Sequence, residues 1–337
     1  MKILAYTPEG TACPSMAEAL QKALGDVFTT THAATLGQNL PSLVHVFGPC
    51  TTTVMRLLHK AIRHHIPIIY SPQGYLLPWN NKGIPYPVRL LLRHATVVHA
   101  RSEFEFACLQ QLDIHKFLVE IDDATSTQTI TQAEMTVQMR RLYRKIVDTH
   151  VAQLLSENTK KIIYRLLQIA IDDLIITTDG LADTTRNMLN TLSDEEWRML
   201  FLYAYDQGVD MEMRTALKRL AFKYPECDVK NIDRFPLSSK PEPIDRTPFT
   251  EINVETIVNS FLRLHDIAKH TPLLLCHYAG VYRLLRTGDY DETLLCQKLS
   301  EQHLETFALQ VIGILTENLA LNEGYIPTPF LPKSKIL

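Results

Sequence analysis

The first 122 residues alternate short apolar runs with segments of helical spacing, and this alternation limits the possible folds more than any other feature. Six runs read as strands, namely residues 2–7, 27–32, 43–48, 66–71, 96–100 and 117–121. Segments of helical spacing lie between several of them, at residues 15–24, 51–65, 87–94 and 102–112. Runs that are apolar on both faces and are separated by helices indicate a parallel sheet covered on both sides. The sequence therefore predicts an α/β fold in which residues 1–122 form a doubly wound, Rossmann-like parallel sheet domain.

The strand signal disappears beyond about residue 132. Apolar residues such as Ile162, Ile163 and Leu166 recur at the spacing of one helix face. Ser193 followed by Glu196 predicts a capped helix start. Residues 132–330 are therefore predicted to form a mostly α-helical region. The segment 223–249 holds five prolines and little periodicity, so we expect a surface connection that can divide this region in two.

Composition restricts the class of protein. The chain is 46% hydrophobic and 21% charged with a formal net charge of -3, which indicates neither disorder nor a basic surface for nucleic acid. No apolar run reaches the roughly 18 residues of a membrane-spanning helix, so we expect a cytoplasmic protein without a transmembrane segment. The six cysteines lack metal-ligand spacing. The aspartate pairs at 122–123 and 172–173 are expected at solvated element ends, and the sequence predicts no metal and no cofactor.

The stretch IPIIYSPQGYLLPW, residues 66–79, ends a predicted strand in an unusual way. The proline that follows Ser71 favours extended geometry at this residue, so the strand continues to Ser71 and then turns. Gly74 permits a positive φ or a close backbone approach that any Cβ would block. Ligands of doubly wound domains bind beyond the carboxyl ends of the strands, and Trp79 and Tyr75 offer flat surfaces on which a sugar ring can stack. The alternative is an ordinary Pro-Gly turn with aromatic residues in the core.

Three elements follow one another between residues 43 and 121. They are an apolar strand, LVHVFG; the IPIIYSPQGYLLPW stretch; and a strand and helix, ATVVHARSEFEFACLQQLDI, in which Ser102 and Glu105 predict a capping box. In this order and spacing they resemble the N-terminal, acceptor-side domain of family-4-type GT-B glycosyltransferases. The resemblance implies transfer of a sugar from a nucleotide-activated donor to a glycan acceptor, in glycan or polysaccharide synthesis, with no obligatory metal.

Candidate substrate-binding residues are those at the predicted carboxyl ends of the strands. They are Gln73 and Gly74 near the acceptor, His45 and Gly48 at the neighbouring strand end, and Ser102 and Glu103 at the next. No residue is assigned a catalytic role. For His45 the alternation within LVHVFG leaves a second interpretation, in which its side chain lies inside the sheet domain.

The chain departs from the family pattern at three points. Gln73 stands where the family usually has histidine, and glutamine cannot exchange a proton near neutral pH. The strand at 117–121 runs into EIDDATST instead of ending in Asn-Gly, and the first turn, TPEGTACPS, lacks a glycine pair. Beyond residue 132 there is neither a second Rossmann pattern nor a pair of glutamates eight apart.

Three functional hypotheses remain open on the sequence. The first is a glycosyltransferase-like protein whose helical half replaces or covers the donor domain. The second is a non-catalytic relative that acts as a scaffold, with a protein partner bound through the helical half. The third is a small-molecule binding module that uses the cleft between the halves.

Overall fold

The structure is a computed structural model that describes residues 1–8, 14–30, 40–79, 84–112, 117–124, 130–172, 180–236, 244 and 253–327. Contacts within the chain define two compact units. The first comprises Met1–Leu154 and Ile232–Pro236, and the second comprises Leu155–Asn231 and Leu237–Leu337.

The first unit is built on a six-stranded parallel sheet. Its strands are β1 (Ile3–Tyr6), β2 (Val27–Thr30), β3 (Leu43–Phe47), β4 (Ile68–Ser71), β5 (Val97–Ala100) and β6 (Phe117–Glu120). Their order is β2-β1-β3-β4-β5-β6, and every neighbouring pair is parallel. The chain steps outward from β1 to β2 and then continues from β3 in the opposite direction, so the topological switch lies between β1 and β3. The predicted doubly wound parallel sheet is confirmed.

Helices cover both faces of this sheet. They are α1 (Pro14–Ala23), α2 (Thr52–Arg63), α3 (Tyr86–His94) and α4 (Glu103–Gln110), followed by α5 (Gln132–Thr149) and α6 (Val151–Leu154). Alternate residues of β3 enter different apolar clusters, since successive side chains of a strand point to opposite faces. Leu43 packs in the cluster that contains Leu20 of α1 and Ile146 of α5, and Val44 packs in the cluster that contains Leu57 of α2.

The first unit extends beyond residue 122, because α5 packs against the sheet. Thr131 and Glu134 form a complete capping box at the start of α5. The segment 232–236 also belongs to the first unit. Phe235 is buried in the apolar cluster that contains Leu20 and Ile146, and Nζ of Lys145 in α5 lies 4.8 Å from the centre of the Phe235 ring. Of the proline-rich segment 223–249, residues 237–243 and 245–249 lie outside the described residues.

The regular secondary structure in the described residues of the second unit is all helical, and these residues contain no strand. Its helices are α7 (Glu157–Ile171), α8 (Leu181–Asn190), α9 (Asp194–Asp206), α10 (Asp210–Arg219), α11 (Val254–His270), α12 (Leu275–Thr287), α13 (Glu292–Glu301) and α14 (Glu305–Leu319). The predicted helical region is confirmed, as is the capping box of Ser193 and Glu196. The expectation that Asp172 is solvated is wrong: it is buried and accepts hydrogen bonds from Tyr282 and Arg286.

Candidate functional site

The turn after β4 contains two consecutive residues in the left-handed region of backbone conformation. Gln73 has a φ of 53° and Gly74 a φ of 83°. A Cβ on Gly74 would lie 3.1 Å from Nη2 of Arg101 and 3.4 Å from Cδ1 of Leu77. Gly74 therefore has the positive φ that the sequence suggests, whereas its close neighbours are side chains and not backbone. The space beside this glycine is filled by the guanidinium of Arg101, a side chain of the protein itself.

Glu105 fixes this turn to the first turn of α4. The backbone N–H of Gly74 donates to Oε1 of Glu105 at 2.5 Å, and the backbone N–H of Arg101 donates to Oε2 at 2.9 Å. Ser102 caps α4 by accepting from the backbone N–H of Glu105 at 3.3 Å. The predicted capping box is therefore half formed, because the carboxylate, which is only 2% exposed, binds the neighbouring turn as well. A carboxylate with two backbone donors is well satisfied, so it holds the turn in place.

Gln73 carries two energetic costs. Its left-handed backbone conformation is unfavourable by about 1–2 kcal/mol for a residue with a Cβ. Its side chain is only 8% exposed and its Oε1 has no hydrogen-bond partner, which costs about 1–3 kcal/mol. Oγ1 of Thr7, just beyond β1, and the hydroxyl of Tyr70 in β4 are also buried without a partner. Strain and unsatisfied polar atoms of this kind are concentrated at functional sites.

Four buried side chains form a continuous row of hydrogen bonds, here called the polar relay. The hydroxyl of Tyr143 lies 2.8 Å from Nδ1 of His45, whose Nε2 lies 2.6 Å from Oγ of Ser71. The same Oγ lies 2.6 Å from Nδ1 of His99, whose Nε2 lies 3.0 Å from the carbonyl oxygen of Ile121. The relay thus links β3, β4 and β5 to α5 and to the end of β6.

A single arrangement of protons satisfies the whole polar relay with both histidines neutral. The Ile121 carbonyl can only accept, so Nε2 of His99 carries the hydrogen and its Nδ1 accepts from the Ser71 hydroxyl. Oγ of Ser71 then accepts from Nε2–H of His45, whose Nδ1 accepts from Tyr143. Burial, with a contribution from His99, lowers the pKa of His45 well below its usual value. Burial lowers the pKa of His99 to about 4, although the Ile121 carbonyl and Asp123 act in the opposite direction.

The structure places the six predicted site residues in two different environments. Gln73 and Gly74 form the turn, Ser102 is the N-cap of α4, and Glu103 is exposed in the first turn of that helix. Gly48, with a φ of 75°, donates its backbone N–H to the Ser71 carbonyl at 2.8 Å. His45, in contrast, is fully buried within the polar relay and has no surface at the carboxyl edge of the sheet.

Several contributors to this region had no assigned role in the sequence. Glu105 has a signal, since its spacing from Ser102 marks a cap, but that signal gives no hint of its bond to Gly74. No sequence signal indicates the roles of Arg101 and Tyr143. The Arg101 side chain lies beside Gly74 and that of Tyr143 bonds to His45, and both of these residues are far away along the chain. Asp123 is buried, so the expectation that this aspartate is solvated is wrong.

An exposed aromatic pair lies beside the turn. The rings of Trp79 and Phe104 stack with their centroids 5.4 Å apart and their planes inclined by 21°. Trp79 is 67% exposed and Phe104 is 53% exposed. The flat surface expected of Trp79 is therefore presented to solvent.

In the described part of the chain, no group of three or more His, Cys, Asp or Glu side chains is placed to hold a metal ion. No described helix is both long enough and apolar enough to span a bilayer. The first unit belongs to the class of doubly wound parallel α/β domains, with a strained, polar turn at the carboxyl edge of its sheet. Comparison of the chain with protein-family models, curated proteins and solved structures finds no match.

Proposed function

We propose that the chain is a glycosyltransferase-like protein whose first unit holds a glycan acceptor at the turn after β4. The observation that carries the proposal is the buried, unpartnered Oε1 of Gln73, held on a strained backbone at the sheet edge where ligands of this fold class bind. A sugar hydroxyl is a hydrogen-bond donor and would satisfy this oxygen if the side chain of Gln73 rotated outward while the backbone of the turn stayed in place. Binding would then recover the cost of the unsatisfied amide.

A nucleotide-activated donor also requires cationic groups near its phosphates, where negative charge develops during transfer. In the second unit, a cavity of about 270 Å³ is lined by Arg219 and Arg283, together with Thr215 and Glu212. Two guanidiniums suit phosphate oxygens. The cavity therefore suits a phosphate group bound within the second unit, and this binding is tested separately from the acceptor turn.

Thermal unfolding with UDP-, GDP- and ADP-linked sugars tests the proposal. A ligand that binds the folded state raises the melting temperature by mass action, and about 100 times its dissociation constant adds about 2.7 kcal/mol. We expect one nucleotide class to give such a rise, and Arg283→Gln to reduce it. No rise with any nucleotide sugar at millimolar concentration would contradict the proposal.

Gln73→His introduces the residue that the resembled family has at this position. We expect this variant to gain transfer or hydrolysis of the donor sugar, measured as nucleotide release. Gln110→His, at an exposed position of α4, is the matched control and should leave the rate unchanged. Equal rates in the two variants would show that the turn does not contact the reacting groups.

A non-catalytic scaffold is the second candidate, and the helical second unit favours it. Its described residues contain no strand that could form a second nucleotide-binding sheet. Under this alternative, nucleotide sugars leave the melting temperature unchanged, and Gln73→His has no activity. Polar substitutions of the exposed Met211 and Leu309 should then reduce recovery of a protein partner from the native host without changing stability.

A further inference from the structure

The Trp79–Phe104 pair offers an aromatic surface to a ligand. Tryptophan is rarely left so exposed, and large exposed aromatic side chains often mark binding sites. Stacking against Phe104 fixes the orientation of the indole ring before any ligand arrives, so little conformational freedom is lost on binding. The C–H face of a pyranose ring matches such a surface, because it is flat and apolar while the hydroxyls project sideways.

The first turn of α4 holds this pair next to the candidate acceptor turn. Phe104 stacks on Trp79, and the next residue, Glu105, binds the backbone N–H of Gly74. Consecutive Cα atoms lie only about 3.8 Å apart. The residue that stacks on Trp79 and the residue that binds Gly74 are therefore neighbours on one rigid helix. Gln73 immediately precedes Gly74, whose backbone N–H is bonded to Glu105. The Gln73 side chain is nine-tenths buried, and its Oε1 has no hydrogen-bond partner.

The charges at this part of the sheet edge select the kind of sugar. Glu120 pairs with Ala100 at the carboxyl ends of β6 and β5, and Asp122 and Glu103 follow these two residues closely along the chain, so three acidic groups lie at this part of the edge. In agreement with this placement, slight burial and the carboxylates of Asp122 and Glu103 raise the pKa of Glu120. Glu103 precedes Phe104 in the same turn and is exposed. Among the described residues, the Arg101 guanidinium lies beside Gly74 and offsets part of this negative charge. Carboxylates accept hydrogen bonds from hydroxyls, but they repel an acidic sugar or a sugar phosphate.

We propose that Trp79 and Phe104 bind a pyranose unit of an uncharged glycan, with the ring stacked on Trp79 and with Glu103 and, after an outward rotation of its side chain, Gln73 accepting hydrogen bonds from its hydroxyls. That the bound glycan is the acceptor of a transfer reaction rests on the proposed function. The binding of an uncharged sugar does not.

The test uses the indole N–H resonances of the full-length protein. The chain has two tryptophans, so the Trp79 signal can be assigned from its absence in Trp79→Phe. The probes are methyl glucoside, methyl galactoside and methyl N-acetylglucosaminide, with methyl glucuronide and glucose 1-phosphate as charged counterparts. Titration extends to about 100 mM, at which a site that contributes about 1.4 kcal/mol is half filled.

We expect the Trp79 signal to shift with at least one neutral pyranoside and at least tenfold more weakly with the charged counterparts. Phe104→Ala should weaken binding about three- to tenfold through loss of the ordered ring pair. Phe117→Leu, which alters a partly exposed ring at the amino end of β6, is the control and should not change it. Circular dichroism confirms folding of each variant.

No shift of the Trp79 signal with any neutral pyranoside, or tighter binding of the charged sugars, would overturn the inference. Pyranoside binding without any effect of nucleotide sugars would retain the inference and refute the transferase. Nucleotide-sugar binding without a pyranoside shift would retain the transferase and refute this role of the aromatic pair.

Discussion

Acidification from about pH 7.5 to about pH 5 should destabilise the first unit through the polar relay. Both histidines are neutral in the folded protein, because Nδ1 of each must accept a hydrogen bond and burial disfavours the charged form. Unfolding exposes them to water, where a histidine has a pKa of about 6.5. The unfolded chain therefore binds more protons below this pH, and the free energy of unfolding falls as the pH falls.

The size of the effect follows from the pKa of His99. A change from about 6.5 in the unfolded chain to about 4 in the folded protein gives a loss of about 2 kcal/mol between pH 7.5 and pH 5. The full contribution is present above the unfolded pKa and is lost as the pH approaches the folded pKa. His45 acts in the same direction, since its pKa is also lowered by burial.

Urea unfolding at several pH values measures this loss. Trp197→Phe removes the tryptophan of the second unit and leaves Trp79 as the sole indole, so that fluorescence reports the first unit. In this background His99→Gln retains a donor for the Ile121 carbonyl but does not titrate. We expect this variant to be less stable at pH 7.5 and to lose about 2 kcal/mol less than the parent on acidification. His59→Gln, at an exposed helix position, should have the same pH dependence as the parent.

An identical pH dependence of the parent and His99→Gln would refute the assignment of neutral histidines. So would a parent protein that becomes more stable on acidification over this range. Nitrogen NMR of the histidine rings offers a second check, because both should carry their hydrogen on Nε2.

Three further predictions concern the turn and its surroundings. Gly74→Ala should lower the free energy of unfolding by about 1–3 kcal/mol, because Gly74 has a positive φ and the new Cβ would contact Arg101. Gly280→Ala is the control, because Gly280 lies in a helix interior with no atom within 4 Å of the new Cβ. It should raise the free energy of unfolding by about 0.5–1 kcal/mol in the same urea assay. Glu105→Gln should cost about 1.5–3 kcal/mol, because an amide cannot accept from both backbone donors; an unchanged urea midpoint would show that the two bonds are dispensable. Gln73→Gly should be at least as stable as the parent while losing the ligand-induced rise in melting temperature; a large loss of stability would show that the glutamine is structural.

The strands and helices of the first unit could be predicted closely because the signals that specify them are local. The run at 66–71 becomes β4, at Ile68–Ser71, and the segment 51–65 becomes α2, at Thr52–Arg63. Apolar spacing and a capping threonine act within a few residues, so one sequence contains enough information to locate these elements.

The polar relay could not be predicted, because its members are separated along the chain. Ser71 and His99 lie 28 residues apart, and His45 and Tyr143 lie 98 residues apart. Nothing in the local spacing indicates that α5 packs on the sheet and brings Tyr143 to β3. The burial of Asp123 and Asp172 has the same origin, since each is enclosed by the tertiary fold rather than by its sequence neighbours.

The direction of the polar relay also restricts which sequences this fold accepts. Its last acceptor is the main-chain oxygen of Ile121, which no substitution can remove. This acceptor determines which atom donates and which accepts in every other hydrogen bond of the relay. The residue at position 99 must donate a hydrogen bond to the Ile121 carbonyl and accept one from position 71. The residue at position 71 must donate and accept through a single atom. Glutamine or asparagine can replace His99, and threonine can replace Ser71. A carboxylate fits neither position, because it accepts hydrogen bonds but does not donate them. In variants of this chain, each of these buried positions should therefore accept only a residue that donates and accepts hydrogen bonds in the same sense.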